Sequence, residues 1–143
     1  MTTVYKLTDA NLQTHGGYQW VVGEWRETSG EGELCGPGWL HCYSHPLLAV
    51  LLNPIGANFG AIMRLWEAEV EGNHLDDHGL KSGWTRMRLM REIAVPVVTT
   101  EQRVTIAIMC GLRLYRDPAW VSWAHGWLDG TDRSAGGSCC RFW

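Results

Sequence analysis

Apolar and polar positions alternate most clearly in two stretches of the chain. From Arg64 to Glu71, Trp66, Ala68 and Val70 fall on one side and Glu67, Glu69 and Glu71 on the other, which predicts a half-buried strand. From Thr85 to Leu89, Thr85, Met87 and Leu89 alternate with Arg86 and Arg88. Antiparallel pairing of the two would set glutamates against arginines on the exposed face. Each cross-strand pair of this kind is worth a few tenths to about 1 kcal/mol, so the ladder specifies register more than it supplies stability.

Elsewhere the pattern predicts a short first strand over Val4 to Leu7 and a second over Tyr18 to Arg26. In the second, Tyr18, Trp20 and Val22 share one face, Val21 takes the other, and Gly23 marks a bulge. Glu27 to Gly38 holds four glycines and a proline and reads as a loop. Trp39 to Tyr43 is a third strand. Ser44 as N-cap and Pro46 in the first turn start a helix over Leu47 to Leu52, which Asn53-Pro54 closes. Thr99 and Gln102 form a capping box ahead of Val104, Ile108, Leu112 and Tyr115 at helical spacing. Asp117-Pro118 begins a further helix carrying Trp120, Trp123 and Trp127, and Gly130 stops it. Strands early and helices late predict an α+β fold, an antiparallel β-sheet packed against C-terminal α-helices. The expected organisation is a single domain over 1–135 and a flexible tail over 136–143.

Composition narrows the function classes. With 45% hydrophobic and 19% charged residues in 143, the chain is expected to fold around a core rather than stay disordered. The net charge of −3 and the lack of any lysine or arginine block give no general attraction for phosphate, so direct nucleic-acid binding is not expected. The N-terminal residues lack the apolar core of a signal peptide. The longest apolar run, Leu47 to Leu52, is far too short to span a bilayer, so a soluble, intracellular protein is expected. Five cysteines, an odd number that includes the adjacent Cys139 and Cys140, are read as reduced thiols.

The segment from Leu34 to Pro54 concentrates candidate chemistry. Cys35, His41, Cys42 and His45 are ligand types suited to zinc, but Cys35 and His41 are separated by five residues and no second half-site follows. On a strand, His41 and Cys42 would also point to opposite faces. The segment is therefore read as a strand-to-helix joint with Cys42 in the core and His41 hydrogen-bonded. Asn73, His74, Asp76, Asp77 and His78 are read as a solvated loop between the paired strands. A Cys/His nucleophilic pair stays open, since sequence does not establish proximity. The nucleophile elbow, the phosphate-binding and dinucleotide-binding glycine loops, the zinc-protease helix and the zinc-deaminase signature are all absent. No catalytic residue, metal or cofactor is assigned. The stripe Trp120, Trp123 and Trp127 is read as structural, facing the sheet. Trp25 and Trp84 are expected to be exposed and, with Arg86, Arg88, Glu67 and Glu69, to form a partner-binding surface, because Trp and Arg dominate protein interfaces.

The run CGPGWLHCYSHPLLAVLLNP, followed by LWEAEVEG, TTEQR and WLDGTDRSA, resembles a group of small uncharacterised proteins encoded in tailed-phage and prophage genomes. The likeness covers nearly the whole of residues 3 to 135; the group often continues into an alanine-rich tail, whereas this chain ends in Ser138-Cys139-Cys140-Arg141-Phe142-Trp143. The resemblance implies a phage or mobile-element accessory protein in the cytoplasm of a bacterial host. It implies action by binding a host protein, as an inhibitor of a defence system of the anti-CRISPR kind. A second outline, a strand ending in GWLHC followed by a short helix, is similar to ADP-ribosyltransferase-like domains. That likeness implies a nucleotide site with His41 and Tyr43 contacting NAD, and one of Glu67 to Glu71 or Glu101 as the acid.

Overall fold

The computed structural model describes residues 2–53 and 62–134. In chain order the elements are β1 (Thr2–Asp9), β2 (Gln13–Thr14), β3 (Tyr18–Gln19), β4 (Arg26–Glu27), β5 (Leu40–Cys42), α1 (Pro46–Leu52), β6 (Met63–Asp77), β7 (Lys81–Ile93), α2 (Thr100–Leu114) and α3 (Pro118–Asp129). They fall into two compact units, Met1–Val97 and Val98–Trp143. The architecture is α+β: a five-stranded antiparallel sheet with three helices, two of them C-terminal.

The paired strands foreseen from the alternation are the frame of the first unit, and they are longer than their alternating core. β6 and β7 run as one antiparallel hairpin from the pair Leu65 and Ile93 to Asp77 and Lys81. Asn73 to Asp77 are therefore strand rather than loop, and only His78 to Leu80 turn. The pattern hides this because Gly72 and Asn73 interrupt the register between Glu71 and His74, and because residues 72–77 are exposed on both faces. Gly72 has φ of +89°, and a Cβ there would run into Thr85 Oγ1, so this bulge requires glycine.

β1 pairs with β6, β6 with β7, and β7 with β5. Just past β5, Tyr43 exchanges two backbone hydrogen bonds with Tyr5 of β1, at 2.8 and 3.0 Å, which closes the ring of pairings. The interior holds Val4, Trp20, Leu40, Cys42, Trp66, Ala68, Val70, Met87 and Leu89. A second cluster, Leu7, Tyr43, Ala49 and Leu65, brings α1 against the other side of β1. Strand β1 is thus covered on both faces, and its alternation turns Lys6 toward the interior along with Val4 and Thr8.

Two further expectations are corrected. Tyr18 to Arg26 is not one strand: β3 ends at Gln19, Trp20 is buried, Val21 and Val22 are exposed, and Gly23 turns the chain at φ of +83°. The N-cap of α1 is His45, whose Nδ1 accepts from the Leu47 amide at 3.2 Å, while Ser44 donates to the Gly79 carbonyl at 3.5 Å. Asn53 ends α1 as expected, its amide bonded to the Ala49 carbonyl at 3.1 Å; Pro54 lies outside the described residues.

In the second unit the capping box is present in both directions: Gln102 N to Thr99 Oγ1 at 3.1 Å and Thr99 N to Gln102 Oε1 at 2.9 Å. Asp117 caps α3 by accepting from Trp120 N at 2.9 Å, and Gly130 ends it at φ of +84°. The tryptophan stripe is engaged within this unit. Trp120 packs on Gly111 and meets Tyr115 edge-on, Trp123 Nε1 donates to the Ser134 carbonyl at 3.0 Å, and Arg133 covers the Trp127 ring at 4.1 Å. Residues 136–143, with Cys139 and Cys140, lie outside the described residues. Among the described residues no helix is long and apolar enough to cross a membrane.

Candidate functional site

A cavity of about 410 Å³ opens in the first unit. Buried Lys6, Trp20, Trp39 and Leu40, with half-buried His41, make its inner wall, and exposed His15, Tyr18, Cys35 and Pro37 make its rim. The glycine-rich segment after β4 is folded into this wall rather than left as a free loop. Gly30 N donates to Gly38 O at 2.9 Å, and the Trp39 indole donates to Gly32 O at 3.1 Å. The Trp20 indole is fixed likewise by Thr14 Oγ1 at 3.1 Å. Both indoles are therefore held in the wall with their one polar group already satisfied.

Lys6 is the unusual member of this wall. Only 9% of it is exposed; its ammonium donates to the His41 carbonyl at 2.5 Å and lies 5.3 Å from the centre of the Trp20 ring. Burial disfavours the charged form and lowers its pKa to about 8, with the Cys42 thiol opposing and Lys81 adding to the fall. The neighbouring Cys42 thiol is pushed up to about 11 by burial, partly offset by its 3.4 Å contact with Ser82 Oγ and by Lys6. His41 is lowered by burial, partly offset by its bond to the Leu34 carbonyl. Because a carbonyl only accepts, His41 Nε2 carries the proton in that bond and Nδ1 is the free acceptor.

The suggested zinc ligands do not converge. Cys42 faces the interior, His45 caps α1, His41 is tied to Leu34, and Cys35 accepts from Lys81 at 3.1 Å. Among the described residues no group of three His, Cys, Asp or Glu side chains is placed to hold a metal ion. Of the two residues suggested for a nucleotide, His41 lines the cavity, whereas Tyr43 is buried in the second cluster with Leu7 and Ala49. The suggested acids Glu67, Glu69 and Glu71 are ion-paired along the hairpin and Glu101 pairs with Arg133, so none is in the cavity wall.

The suggested partner surface is partly assembled. Glu69 binds Arg88 and Glu71 binds Arg86, as the alternation predicts, and a register shift next to Glu67 hands that residue to Arg91. Arg86 and Arg88 both lie over the Trp25 ring, at 4.7 and 4.8 Å. Trp25 is consequently half-buried rather than exposed. Trp84 is also half-buried, stacked on His74 with ring centres 4.4 Å apart.

Lys6 was not singled out by sequence reasoning. The signal was available: it occupies an inward position of β1, in phase with Val4 and Thr8, where a lysine is anomalous. The walls contributed by His15 and Thr28 come from segments with no periodicity to read.

The fold and cavity define a small α+β protein with a closed-ring sheet unit followed by a helical pair. Residues 2–101 match the family model described as a domain of unknown function, DUF7666, and the chain belongs to that family. The match spans the first unit and ends at the start of α2. Neither the curated proteins nor the solved structures contain a match to this chain.

Proposed function

We propose that the protein is a non-enzymatic accessory factor of a phage or mobile element. In this reading it acts in the bacterial cytoplasm by binding a host protein, a component of a defence system, through the outer face of the β6–β7 hairpin. The observation that carries this reading is the Trp25, Arg86 and Arg88 cluster, in which two arginines lie against one indole ring while each is held by a glutamate of β6. Arginine and tryptophan supply most interface hot spots, and side chains fixed before binding lose less entropy on docking. The test is plaquing of a phage on bacteria that carry a defined CRISPR system and express this chain. Plaquing should rise, and Arg86→Ser with Arg88→Ser should remove the rise while leaving the circular dichroism spectrum unchanged. If the double variant protects the phage as well as the native chain does, the hairpin face is not the binding surface.

A nucleotide-binding reading is favoured by one observation, the position of His41 in the cavity wall. It requires that NAD raise the thermal midpoint of the native chain and not of His41→Ala.

A further inference from the structure

We infer that the cavity over Lys6 binds a small organic anion, a carboxylate or phosphate carried on a flat apolar body, with the Lys6 ammonium as its counter-charge. Buried charges in proteins are ordinarily paired. Lys6 has three donors, and the described structure engages it only with the His41 carbonyl and the Trp20 ring. Among the described residues the cavity wall contains no aspartate or glutamate, so nothing there neutralises the charge. A cation would be repelled from this wall. A neutral apolar ligand would leave the ammonium as it stands, desolvated and unpaired.

Two independent features agree with an anion on a flat body. Thr28 Oγ1 and Asn53 Nδ2, both of residues in the wall, are buried without a hydrogen-bond partner, and each can donate to an oxyanion. Buried Trp20, Trp39 and Leu40 make the inner wall apolar, and the exposed Tyr18 ring at the rim offers a face against which a planar group can lie. The volume of about 410 Å³ lies within the usual range for small-molecule sites. This inference concerns the interior of the ring and is independent of the partner-binding face on the hairpin.

Isothermal titration of the full chain tests it with four probes: indole-3-carboxylate, phenyl phosphate, inorganic phosphate and the neutral indole-3-carboxamide. At least one of the two aryl anions should bind tenfold or more tightly than both the carboxamide and inorganic phosphate; whichever aryl anion is preferred identifies the anionic group. Lys6→Met should lose that preference tenfold or more. Because it removes a buried charge it should remain folded, which circular dichroism checks. Affinity should also weaken between pH 8 and 9 as the ammonium loses its proton. The titratable groups that act on Lys6 are His41 and Cys42 of β5 and Lys81 of β7, and His15, Tyr18 and Cys35 stand at the rim of the same cavity. In that interval His41 is already neutral and Cys42 still protonated. Equal binding of carboxylate and carboxamide, an unchanged preference in Lys6→Met, inorganic phosphate binding as tightly as the aryl anions, or no anion binding at millimolar concentration would each overturn the assignment.

Discussion

The indole N–H of Trp66 donates to Thr8 Oγ1 at 3.1 Å, from β6 to the neighbouring β1, and both residues are buried. The same hydroxyl donates to the Asp9 carbonyl at 2.9 Å, so one buried oxygen is used in both roles. Thr8→Val keeps the shape and removes the acceptor, leaving a buried indole N–H with no partner. The expected loss is about 1 to 3 kcal/mol of unfolding free energy, read from urea denaturation, with Thr8→Ser much less affected. A Thr8→Val protein as stable as the native chain would mean that the indole finds another acceptor.

The glutamate and arginine ladder is expected to register the hairpin rather than to stabilise it strongly. Arg88 reaches Glu69 Oε2 with Nε at 2.8 Å and Nη2 at 2.6 Å, and both side chains are about three-quarters buried. A double-mutant cycle of Glu69→Ala and Arg88→Ala should give a coupling of about 0.5 to 1 kcal/mol that shrinks in high salt. A coupling several times larger would make the ladder a principal source of stability.

Lys6 and Cys42 predict opposite pH dependences of stability. The folded state releases the Lys6 proton near pH 8, whereas the unfolded chain holds it to the ordinary value of 10.5. Between these the unfolded state binds more protons, so stability rises with pH, by about 1 kcal/mol from pH 8 to 9. Cys42 acts the other way: folded, it keeps its proton to about 11, while unfolded it loses it from 9.0, so stability falls over that interval. The net expectation is a rise from pH 8 to 9 that flattens above. Chemical denaturation across this range should show the rise in the native chain and not in Lys6→Met, which should also be the more stable at pH 7. A flat native profile would mean that Lys6 is better solvated than its 9% exposure indicates.

What could be read from sequence depended on how far each element is exposed on one face only. The Glu67 to Glu71 and Arg86 to Arg88 alternations were legible because that part of the hairpin has one buried and one charged side. Thr99, Gln102, Asp117 and Gly130 were legible because helix caps are local chemistry, and the structure shows all four in those roles. Strand β1 was found, but its covering on both faces was not, since the second face is covered by α1, which lies far along the chain. Tyr18 to Arg26 misled for the opposite reason. Apolar residues there include the deeply buried Trp20 beside the exposed Val21 and Val22, so composition suggested a strand where Gly23 makes a turn. The cavity was invisible because its wall is gathered from segments far apart in sequence, and its charge comes from a lysine that the alternation of β1 turns inward.

The closing contact between Tyr5 and Tyr43 and the pairing of β1 with β6 have a consequence for biosynthesis. Strand β1 is complete by Asp9, yet its strand partner begins only at Met63, so as the chain leaves the ribosome β1 waits without its neighbour until β6 has emerged. The hairpin, by contrast, is local and can zip as soon as Lys81 onward follows its three-residue turn. The first unit should accordingly fold from its C-terminal hairpin backwards, with β1 docking last and drawing the charged Lys6 into the interior as the final act of assembly.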